Sequence, residues 1–483
     1  MRIIGNDPSV PRQEHAVASG TLTDGTPVVV NADGTVSVVG GGSGTEGVGT
    51  PVVFQAATTD YTASVYDSNS NRTVVIFRSS GSKAVVGTIN PSDNSISFGT
   101  VATAGTSTAY LSAVFDPSSN KIAWHGSNYG GVGTVDPSDN SISFGTQTTN
   151  PFGFGVQWTA AVYDSNSSRI VFIARKDASP QQGYAMVGTI SGTSLSFGTP
   201  VQFTTDSVTN IAATFDSNSN RVVIAYRHDS GSNYGKAIVG SVDPSDNSIS
   251  FGTAVTFNSG NSYRIGCGFD SLNNKAVISY RNSASGGNSY GTAIVGTVDP
   301  SDDSISFGTP VVFHSGITGD GTSVVFDSAA EKIVIAYDDD TNSEGRVISG
   351  TVSGTSISFD TAVQFESGIT KTVFASYDST SERVAIVYED DANSDYGTSN
   401  VFSVGYNSTN ITSENYIGIA RSGAADTAGA IIDTQGAIAD NLSGLTAGQS
   451  YYVQNDGTLS TTADDPSVFA GTAVSATKLI VKG

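Results

Sequence analysis

One short pattern recurs seven times along the chain and constrains its fold more than any other feature. Each copy is an apolar run that ends in an aromatic residue and an aspartate, with a lysine or arginine five residues further on. The aspartates are Asp67, Asp116, Asp164, Asp216, Asp270, Asp327 and Asp378, and the bases are Arg72, Lys121, Arg169, Arg221, Lys275, Lys332 and Arg383. Successive aspartates lie 48 to 57 residues apart. Regular self-similarity of this kind indicates a repeat architecture.

Each of the first six copies contains four segments with the residue pattern of a β-strand. In the fourth copy these segments are residues 210–215, 222–226, 236–242 and 248–257. The second segment is continuously apolar, which is typical of a strand that is covered on both faces. Stretches rich in Asp, Asn and Ser separate the segments and favour turns. Four-stranded units repeated seven times predict an all-β fold with a seven-bladed β-propeller.

The seventh copy lacks the outer strand that ends the other six. A segment that resembles this missing strand, residues 49–54, stands ahead of the first copy. We therefore predict that the N-terminal strand completes blade seven and closes the ring.

The two ends of the chain resemble each other at a constant offset of 423 residues. Residues 22–30 match residues 445–453, and residues 33–37 match residues 456–460. We predict that residues 1–47 and 407–483 form one small β domain that is split in the sequence. The propeller, residues 48–406, is then inserted into that domain.

The charge of the chain excludes one large class of partners. Asp and Glu number 44 against 22 Lys and Arg, so the formal net charge is −22 at pH 7. A field of this sign repels phosphate backbones and anionic membranes, so we expect no nucleic-acid partner. The apolar runs are too short to cross a bilayer, so we expect no membrane insertion. Cys267 is the only cysteine, which excludes an intrachain disulfide and a Cys-based metal site.

The start of the chain bears on where the protein is made. Residues 1–8 contain no apolar stretch of the kind found in a secretory signal. We therefore expect synthesis in a cytoplasm, with delivery by another route if the protein acts outside a cell.

Two parts of the sequence resemble phage structural proteins. Residues 444–453, 456–459 and 476–482 resemble a β domain that recurs near the ends of tailed-phage virion proteins, including tail fibres and head decorations. The repeat with Asp-Pro-Ser-Asp-Asn-Ser-Ile-Ser-Phe-Gly-Thr resembles repeats in marine phage structural proteins. The resemblance implies a protein that is made in the host cytoplasm and displayed on the virion surface, with its split terminal domain bound to other virion proteins. It is compatible with a homo-oligomer and implies no catalytic residues and no required cofactor.

The connections between strands differ in a directed way. Turns after the first and third strands are nearly identical among the copies, whereas connections after the second and fourth strands vary. In an up-and-down blade the two variable connections emerge on one face, and loops on a rigid scaffold commonly carry binding residues. We predict that aromatic residues of this face bind a host surface glycan or protein; the alternative is that most of them cover blade edges. These residues are Tyr129, Phe152, Phe154, Trp158, Tyr184, Tyr234, Tyr290 and Tyr396.

Charged residues end the second strand at the same face. Copies one, three, four and five have arginine there, whereas copies six and seven have Asp338 and Glu389. We therefore predict that one side of the face is basic and the other acidic. The basic side would supply the candidate ligand-binding residues Arg175, Arg227 and Arg281, with Arg78 in copy one.

Two acidic loops are candidate calcium sites. They place oxygen-bearing side chains at alternate positions, as calcium loops do, although turns favour the same residues. The first loop has Asp340, Asn342 and Glu344, and the second has Asp391, Asn393 and Asp395.

The aspartate and base of each copy face each other across a short hairpin, where opposite charges can meet. We predict structural ion pairs at these places rather than ligand contacts. Examples are Asp67 with Arg72, Asp216 with Arg221, and Asp378 with Arg383.

Catalytic constellations are hard to assemble from this sequence. Residues 91–98 resemble the Asp-box of sialidase-type propellers, but that turn is structural and lies away from the catalytic centre. The inner strands supply neither the paired carboxylates of most glycosidases nor the arginine cluster, tyrosine and acid of sialidases. We predict a non-enzymatic virion display protein, either a tail fibre or a capsid decoration, whose propeller serves adhesion or host recognition. The alternative is a sialidase-like or other carbohydrate-active propeller enzyme.

Overall fold

The computed structural model describes residues 12–40, 43–231, 233–283, 289–407, 410–464 and 466–482. These residues form small antiparallel sheets and one 3-10 turn at Asp391–Asn393, so the predicted all-β class is confirmed. No helix in this part of the chain is long and apolar enough to cross a membrane. The expectation for residues 1–8 lies outside the described residues.

Each of the seven sequence repeats forms an antiparallel meander. The first strands are Asp60–Asp67, Ser112–Asp116, Val156–Asp164, the second part of Val201–Asp216, Asn261–Asp270, the second part of Val311–Asp327, and Thr370–Asp378. The second strands are Arg72–Arg78, Lys121–His125, Arg169–Lys176, Arg221–His228, Lys275–Ser283, Lys332–Asp339 and Arg383–Asp390. The third strands are Ser82–Asn90, Tyr129–Asp136, Gln182–Ser191, Tyr234–Asp243, Tyr290–Asp299, Glu344–Ser353 and Tyr396–Ser403.

The fourth strand of each repeat has two segments, and both pair with the third strand. In repeats one to six the first segments are Ser95–Phe98, Ser141–Phe144, Ser194–Phe197, Ser248–Phe251, Ser304–Phe307 and Ser356–Phe359. The second segments are Ala102–Gly105, Thr148–Thr149, the start of Val201–Asp216, Val255–Asn258, the start of Val311–Asp327, and Val363–Glu366. In repeat seven, Gly47–Val48 and Val52–Thr58 pair with the third strand instead, with Val53 opposite Thr398.

The first strands lie around a common axis. The first strand of each repeat packs against that of the next repeat, and Thr370–Asp378 of repeat seven packs against Asp60–Asp67 of repeat one. The meanders therefore form a closed, β-propeller-like ring whose innermost strands surround a central channel.

The second strand is the buried centre of each meander. In repeat one, the four consecutive residues from Val74 to Phe77 have no exposed surface. Both faces are covered because neighbouring repeats pack against each other: Val223 and Ala225 of repeat four share a cluster with Ile278 and Tyr280 of repeat five. Burying an apolar side chain of this size contributes about 1.5–3 kcal/mol. The continuous apolar runs therefore hold adjacent repeats together.

Contacts between residues divide the chain into two compact units, Glu46–Val404 and a second unit formed by Met1–Thr45 with Gly405–Gly483. These bounds lie two residues from the predicted ones. One sheet of the second unit has the strand order Gln13–Val17, Gly429–Asp433, Tyr416–Ala420, Pro27–Val30 and Val36–Val38. Another has the order Ile438–Ala439, Lys478–Val481, Val468–Ser475, Ser450–Val453 and Leu459–Ser460, and Ser43–Gly44 pairs with Tyr406–Asn407.

The two ends of the chain contain the same turn. Oδ1 of Asp33 accepts a hydrogen bond from the N–H of Thr35 at 2.9 Å, and Oδ1 of Asp456 accepts one from Thr458 at 2.9 Å. The glycines between them, Gly34 and Gly457, have φ angles of 81° and 80°, a region that glycine enters without strain. The sequence offset of 423 residues therefore corresponds to a repeated local structure.

Candidate functional site at the mouth of the ring

The ring has two ends. Turns after the first and third strands lie at one end, which we call the uniform end, and connections after the second and fourth strands lie at the other, the variable end. The two ends are built from different chemistry.

At the uniform end the predicted hairpin ion pairs are wrong. Asp67 and Arg72 are cross-strand neighbours, but Oδ1 of Asp67 accepts the N–H groups of Asn69 and Ser70, both at 3.0 Å. The aspartate therefore stabilises its own turn, as Asx turns do, and its base points elsewhere. The same arrangement replaces the predicted pairs Asp216–Arg221 and Asp378–Arg383.

The base binds the next repeat instead. Nε of Arg72 donates to Oδ1 of Asn140 at 2.6 Å, and its Nη2 donates to the carbonyl of Pro137 at 2.8 Å; both acceptors lie in the third-strand turn of repeat two. We call this contact the inter-repeat clasp. Arg169 makes it with Asn247 and Pro244, Arg221 with Asp303 and Pro300, and Arg383 of repeat seven with Asn94 and Pro91 of repeat one.

The choice between arginine and lysine follows the turn of the next repeat. Each arginine faces a six-residue turn, whose side-chain oxygen and carbonyl match the planar fork of a guanidinium. Lys121 and Lys275 face repeats three and six, which have the shorter turns at residues 191–193 and 353–355. Lys332 precedes repeat seven and binds Asp360 of its own repeat at 2.8 Å. The base in one repeat therefore matches the structure of its neighbour.

At the variable end, the register of the first strand shifts in six of the seven repeats, all within the described residues. The residue six positions before the repeat aspartate lies at this bulge. In repeats one to seven it is Tyr61, Tyr110, Trp158, Asn210, Arg264, Gly321 and Thr372, and all except the glycine have φ between 47° and 53°. This conformation costs about 1–2 kcal/mol for residues with a side chain. Such strain concentrates at functional sites.

These residues surround the opening of the central channel, which we call the mouth. A cavity of about 160 Å³ lies there, and its lining includes Tyr61, Tyr110, Trp158, Asp320 and Thr372. The rings of Tyr61 and Tyr110 are 5.0 Å apart between centroids, and those of Tyr110 and Trp158 are 5.4 Å apart. Both pairs are tilted, by 54° and 43°, so the three rings form a curved surface that we call the aromatic wall.

Repeats five and six contribute an ion pair to the mouth. Arg264 binds the carboxylate of Asp320, which is about half exposed. The backbone N–H of Arg264 donates to Oδ1 of Asn210 at 2.7 Å, and the N–H of Asp320 donates to Oδ2 of Asp338 at 3.0 Å. The mouth therefore combines a curved aromatic surface with one internally neutralised pair of charges.

The acidic residues that end the second strands of repeats six and seven are buried. Burial, together with the nearby carboxylates of Asp340 and Asp320, raises the pKa of Asp338 to about 7. Burial also raises the pKa of Glu389 to about 7, although Lys371, whose Nζ lies 3.9 Å from Oε1, opposes the shift. Both groups are consequently only partly ionised near neutral pH, which weakens the acidic side that the sequence predicts.

The arginines at the equivalent places differ in their partners. Arg78 pairs with Asp60, and Nε of Arg227 lies 2.5 Å from Oδ1 of Asp229. Arg175 is 6% exposed and donates to the side chains of Gln157 and Gln181.

Arg281 donates to the carbonyl of Thr318 at 3.1 Å. Neither Arg175 nor Arg281 has a carboxylate within 4.0 Å among the described residues. The guanidinium carbons of Arg227 and Arg281 lie 4.5 and 4.9 Å from the ring centroid of Tyr263. The arginines therefore bind neighbouring groups, and none of the four is among the residues that line the mouth cavity.

The structure separates the predicted aromatic ligand residues. Trp158 lines the mouth, whereas Phe152 is only 3% exposed and packs against His125, so its assignment as a ligand residue is wrong. Phe154 packs against Tyr184, with ring centroids 5.0 Å apart. The remaining four begin third strands, are half-buried and lie outside the lining of the mouth: Tyr129, Tyr234, Tyr290 and Tyr396.

Sequence reasoning missed Tyr61, Tyr110, Arg264 and Asp320. Three of these four, Tyr61, Tyr110 and Arg264, occupy the position six residues before the repeat aspartate, but the positions on either side of it also change from copy to copy, so a comparison among repeats does not single it out. The period-two pattern of a strand concealed the position, since a bulge moves a side chain off that pattern.

The first predicted calcium loop does not assemble its ligands. Oε1 of Glu344 accepts from Arg346 at 2.6 Å, and its Oε2 accepts from Gln364. The amide of Asn342 donates to Asp339 at 2.8 Å rather than turning its oxygen toward Asp340. The predicted set is therefore wrong for this loop.

The second predicted loop brings two of its three residues together. Asp391 and Asp395 approach Glu389, with ligand atoms within 4.8 Å of one another. The ammonium of Lys371 binds Asp391 and lies 3.9 Å from both Asp395 and Glu389, so it occupies the position that a cation would take. Asn393 lies outside this group and hydrogen-bonds to Asp390. A protein ammonium thus already neutralises this cluster.

The channel below the mouth holds a second cavity of about 250 Å³, lined mainly by small residues that include Ser112, Ala160, Gly266 and Cys267. Burial raises the pKa of Cys267 to about 12, so its thiol stays protonated at neutral pH. Burial lowers the pKa of His125 to about 4, which leaves that imidazole neutral. Neither group is suited to nucleophilic catalysis.

Comparison with known proteins finds structural similarity alone. No protein-family model matches the chain, and no curated protein matches it. Among solved structures, the chain is similar to NanB sialidase from Streptococcus pneumoniae, in a mutant form and in a structure described as NanB plus Optactamide. In both cases the sequences are 10% identical, the TM-score is 0.44, and the match covers 73% of this chain and 70% of the other.

Proposed function

We propose that the chain is a non-enzymatic binding protein displayed on the surface of a tailed-phage virion, as a tail fibre or capsid decoration. Its ring is a seven-bladed β-propeller, closed in blade seven by the N-terminal strand and inserted into a terminal domain split between both chain ends. The terminal domain contacts other virion proteins, and the variable end of the propeller contacts a host surface glycan or protein.

One observation carries the binding part of this proposal. Six blades hold their mouth residue at positive φ, although glycine would occupy that place without strain. The residues differ, with Tyr61, Tyr110 and Trp158 on one side and Arg264 on another. A strained position that keeps large, different side chains indicates that those side chains do something that the fold does not require.

The virion part of the proposal rests on the phage-like sequence of residues 444–482. It is supported by the sheet of the terminal unit in which strands from both chain ends pair with each other. This arrangement makes the propeller an insertion in a domain that resembles virion domains.

The test locates the protein and measures attachment. Immunogold labelling of particles should place the chain on the virion surface, and fluorescently labelled full-length chain should attach to host cells. Trp158→Ala should weaken attachment roughly tenfold or more, as loss of a buried aromatic contact does. Leu272→Ala is the matched control, because Leu272 is an exposed apolar residue in a turn at the uniform end. Absence from purified particles, or equal loss in the two variants, would contradict the proposal.

A second candidate is a carbohydrate-active enzyme. It is favoured by the raised pKa of Asp338, because a carboxyl that titrates near 7 can act as a general acid at neutral pH. Asp338 accepts the N–H of Asp320 and so lies directly behind a residue of the mouth. Turnover of a fluorogenic sialoside or of 4-nitrophenyl glycosides, lost in Asp338→Asn, would establish this function and overturn the non-enzymatic proposal.

A further inference from the structure

We infer that the mouth cavity binds one neutral sugar ring of a glycan, with an apolar face of the sugar against the aromatic wall. This inference rests on the proposed binding function and names the ligand class of that site. It follows from the shape, charge and backbone strain of the mouth.

The aromatic wall suits a ring with an apolar face. Tyr61, Tyr110 and Trp158 are each half-buried, so each ring packs on its neighbour and keeps part of its surface open to the cavity. The tilts between the rings make the surface curved rather than flat. A pyranose presents C–H groups on a face and hydroxyl groups around its edge, so one face gains apolar contact while the edge stays available for hydrogen bonds.

Polar groups stand where that edge would lie. The carboxylate of Asp320, about half exposed, can accept hydrogen bonds from hydroxyl groups, and Arg264 beside it can donate to them. Both belong to repeats five and six, whereas the aromatic wall belongs to repeats one to three. The ligand would therefore be held between an apolar surface and a polar pair.

Charge distinguishes a neutral sugar from other ring-sized ligands. A quaternary ammonium would also suit an aromatic surface, but the guanidinium carbon of Arg78 already lies 4.5 Å from the ring centroid of Tyr61 and repels a second cation. An anionic sugar would need an uncompensated cation, but no lysine or arginine is among the lining residues, and Arg264, which adjoins the lining at Asp320, is neutralised by that carboxylate. The formal net charge of −22 further disfavours an anion.

The size of the cavity sets the extent of contact. Its volume of about 160 Å³ is below the roughly 300–1,000 Å³ of pockets that enclose a drug-sized molecule. One ring can enter, and the remainder of a glycan would extend past the variable end. This geometry favours recognition of a terminal sugar.

Tryptophan fluorescence provides a direct readout, because the chain has only two tryptophans and Trp124 is fully buried. In a Trp124→Phe variant, Trp158 becomes the sole tryptophan and reports on the mouth. The methyl glycosides of glucose, galactose, mannose, N-acetylglucosamine and rhamnose, each at about 10 mM, should include at least one that shifts its emission. That concentration saturates a site with a Kd of about 1 mM. N-acetylneuraminic acid, choline and inorganic phosphate should leave the emission unchanged.

Matched variants test whether the aromatic wall causes the affinity. Trp158→Asn places at the mouth the residue that blade four carries there, which tolerates positive φ, and isothermal titration with the responding sugar should show at least about tenfold weaker binding. Tyr61→Ala should behave alike, whereas Tyr66→Ala, on the same strand but at the uniform end, should bind normally. Circular dichroism verifies that each variant is folded.

The outcomes separate this inference from the proposed function. If no neutral sugar shifts the emission, or if the anionic sugar or choline binds instead, the inference is overturned, while attachment to cells can still uphold the proposed function. If a neutral sugar binds through the aromatic wall but the chain attaches to no host cell, the site stands and the adhesion function fails.

Discussion

The clasp between Arg383 and repeat one closes the ring at the uniform end, and its removal should destabilise the whole propeller. Nε of Arg383 donates to Oδ1 of Asn94 at 2.6 Å, and its Nη2 donates to the carbonyl of Pro91 at 2.9 Å. The same guanidinium also donates to the carbonyls of Ser381 and Glu382 in its own turn, at 3.3 and 2.9 Å. One side chain thus joins the last repeat to the first.

The magnitude follows from these contacts. A hydrogen bond from a charged group contributes about 1.5–3 kcal/mol when buried, and the clasp is partly exposed, so each contact lies at or below the lower limit. Loss of both inter-repeat bonds in Arg383→Ala should therefore lower the free energy of unfolding by about 2–3 kcal/mol. Arg383→Lys should lose about half as much or more, because an ammonium cannot reproduce two parallel bonds of a planar fork.

The assay is denaturant unfolding of the full-length chain, followed by near-UV circular dichroism. Arg72→Lys, which affects the clasp between repeats one and two, should match Arg383→Lys. Lys121→Arg is the control, since repeat three has the shorter turn and offers no equivalent acceptors, so stability should not rise. Unchanged stability in Arg383→Ala, or a gain in Lys121→Arg equal to the loss in Arg383→Lys, would refute the reasoning.

Three further predictions concern other parts of the molecule. The pKa of Asp338 in the folded chain, about 7, exceeds the value of about 3.9 in an unfolded chain, so the folded state binds more protons between these values and stability falls as the pH rises from about 4 to about 7. Asp338→Asn should reduce this fall, measured as the difference between the unfolding midpoints at about pH 5 and about pH 8. Identical pH profiles of the variant and the wild type would argue against the buried charge. Deletion of residues 1–58 removes the strands that pair with Tyr396–Ser403. The truncated chain should have a lower melting temperature and should aggregate through the exposed sheet edge, as measured by light scattering. An unaltered melting curve would mean that the ring closes without these strands. Lys371→Ala removes the ammonium from the cluster of Glu389, Asp391 and Asp395. Calcium should therefore raise the melting temperature of this variant but not of the wild type. Stabilisation of both proteins would show that calcium binds elsewhere.

The repeat in the sequence was sufficient to predict much of the fold. A strand is recognised from the pattern of a few consecutive residues, and a continuous apolar run such as Val222 to Tyr226 indicates a strand buried on both faces, as the structure shows. The Asp and base spacing likewise predicts a hairpin, and Asp216 and Arg221 are indeed cross-strand neighbours. The match between residues 33–37 and 456–460 anticipated the repeated turn at Gly34 and Gly457.

The candidate site was less accessible to sequence reasoning. Trp158 was identified as an aromatic residue of a variable connection, but the same criterion selected Phe152, which the structure buries. Exposure depends on which neighbouring repeat covers a side chain, and that neighbour is about 50 residues away in the sequence. Tyr61 and Tyr110 lie among polar and small residues ahead of the apolar runs, where the sequence pattern assigns them no special role.

By itself, the sequence determined the strands of the seven repeats and the turn that follows each repeat aspartate. It also determined which connections are uniform and which are variable. These features depend on contacts within one repeat, which recur with the same residues seven times. Tertiary structure alone decided the partners, because the same spacing permits an ion pair with Asp67 or a clasp with Asn140, and the packing of repeat two against repeat one selects the clasp. It also decided the mouth, because a bulge in six of the seven described first strands turns one residue toward the axis, and only closure of the ring brings Tyr61, Trp158 and Asp320 around one cavity.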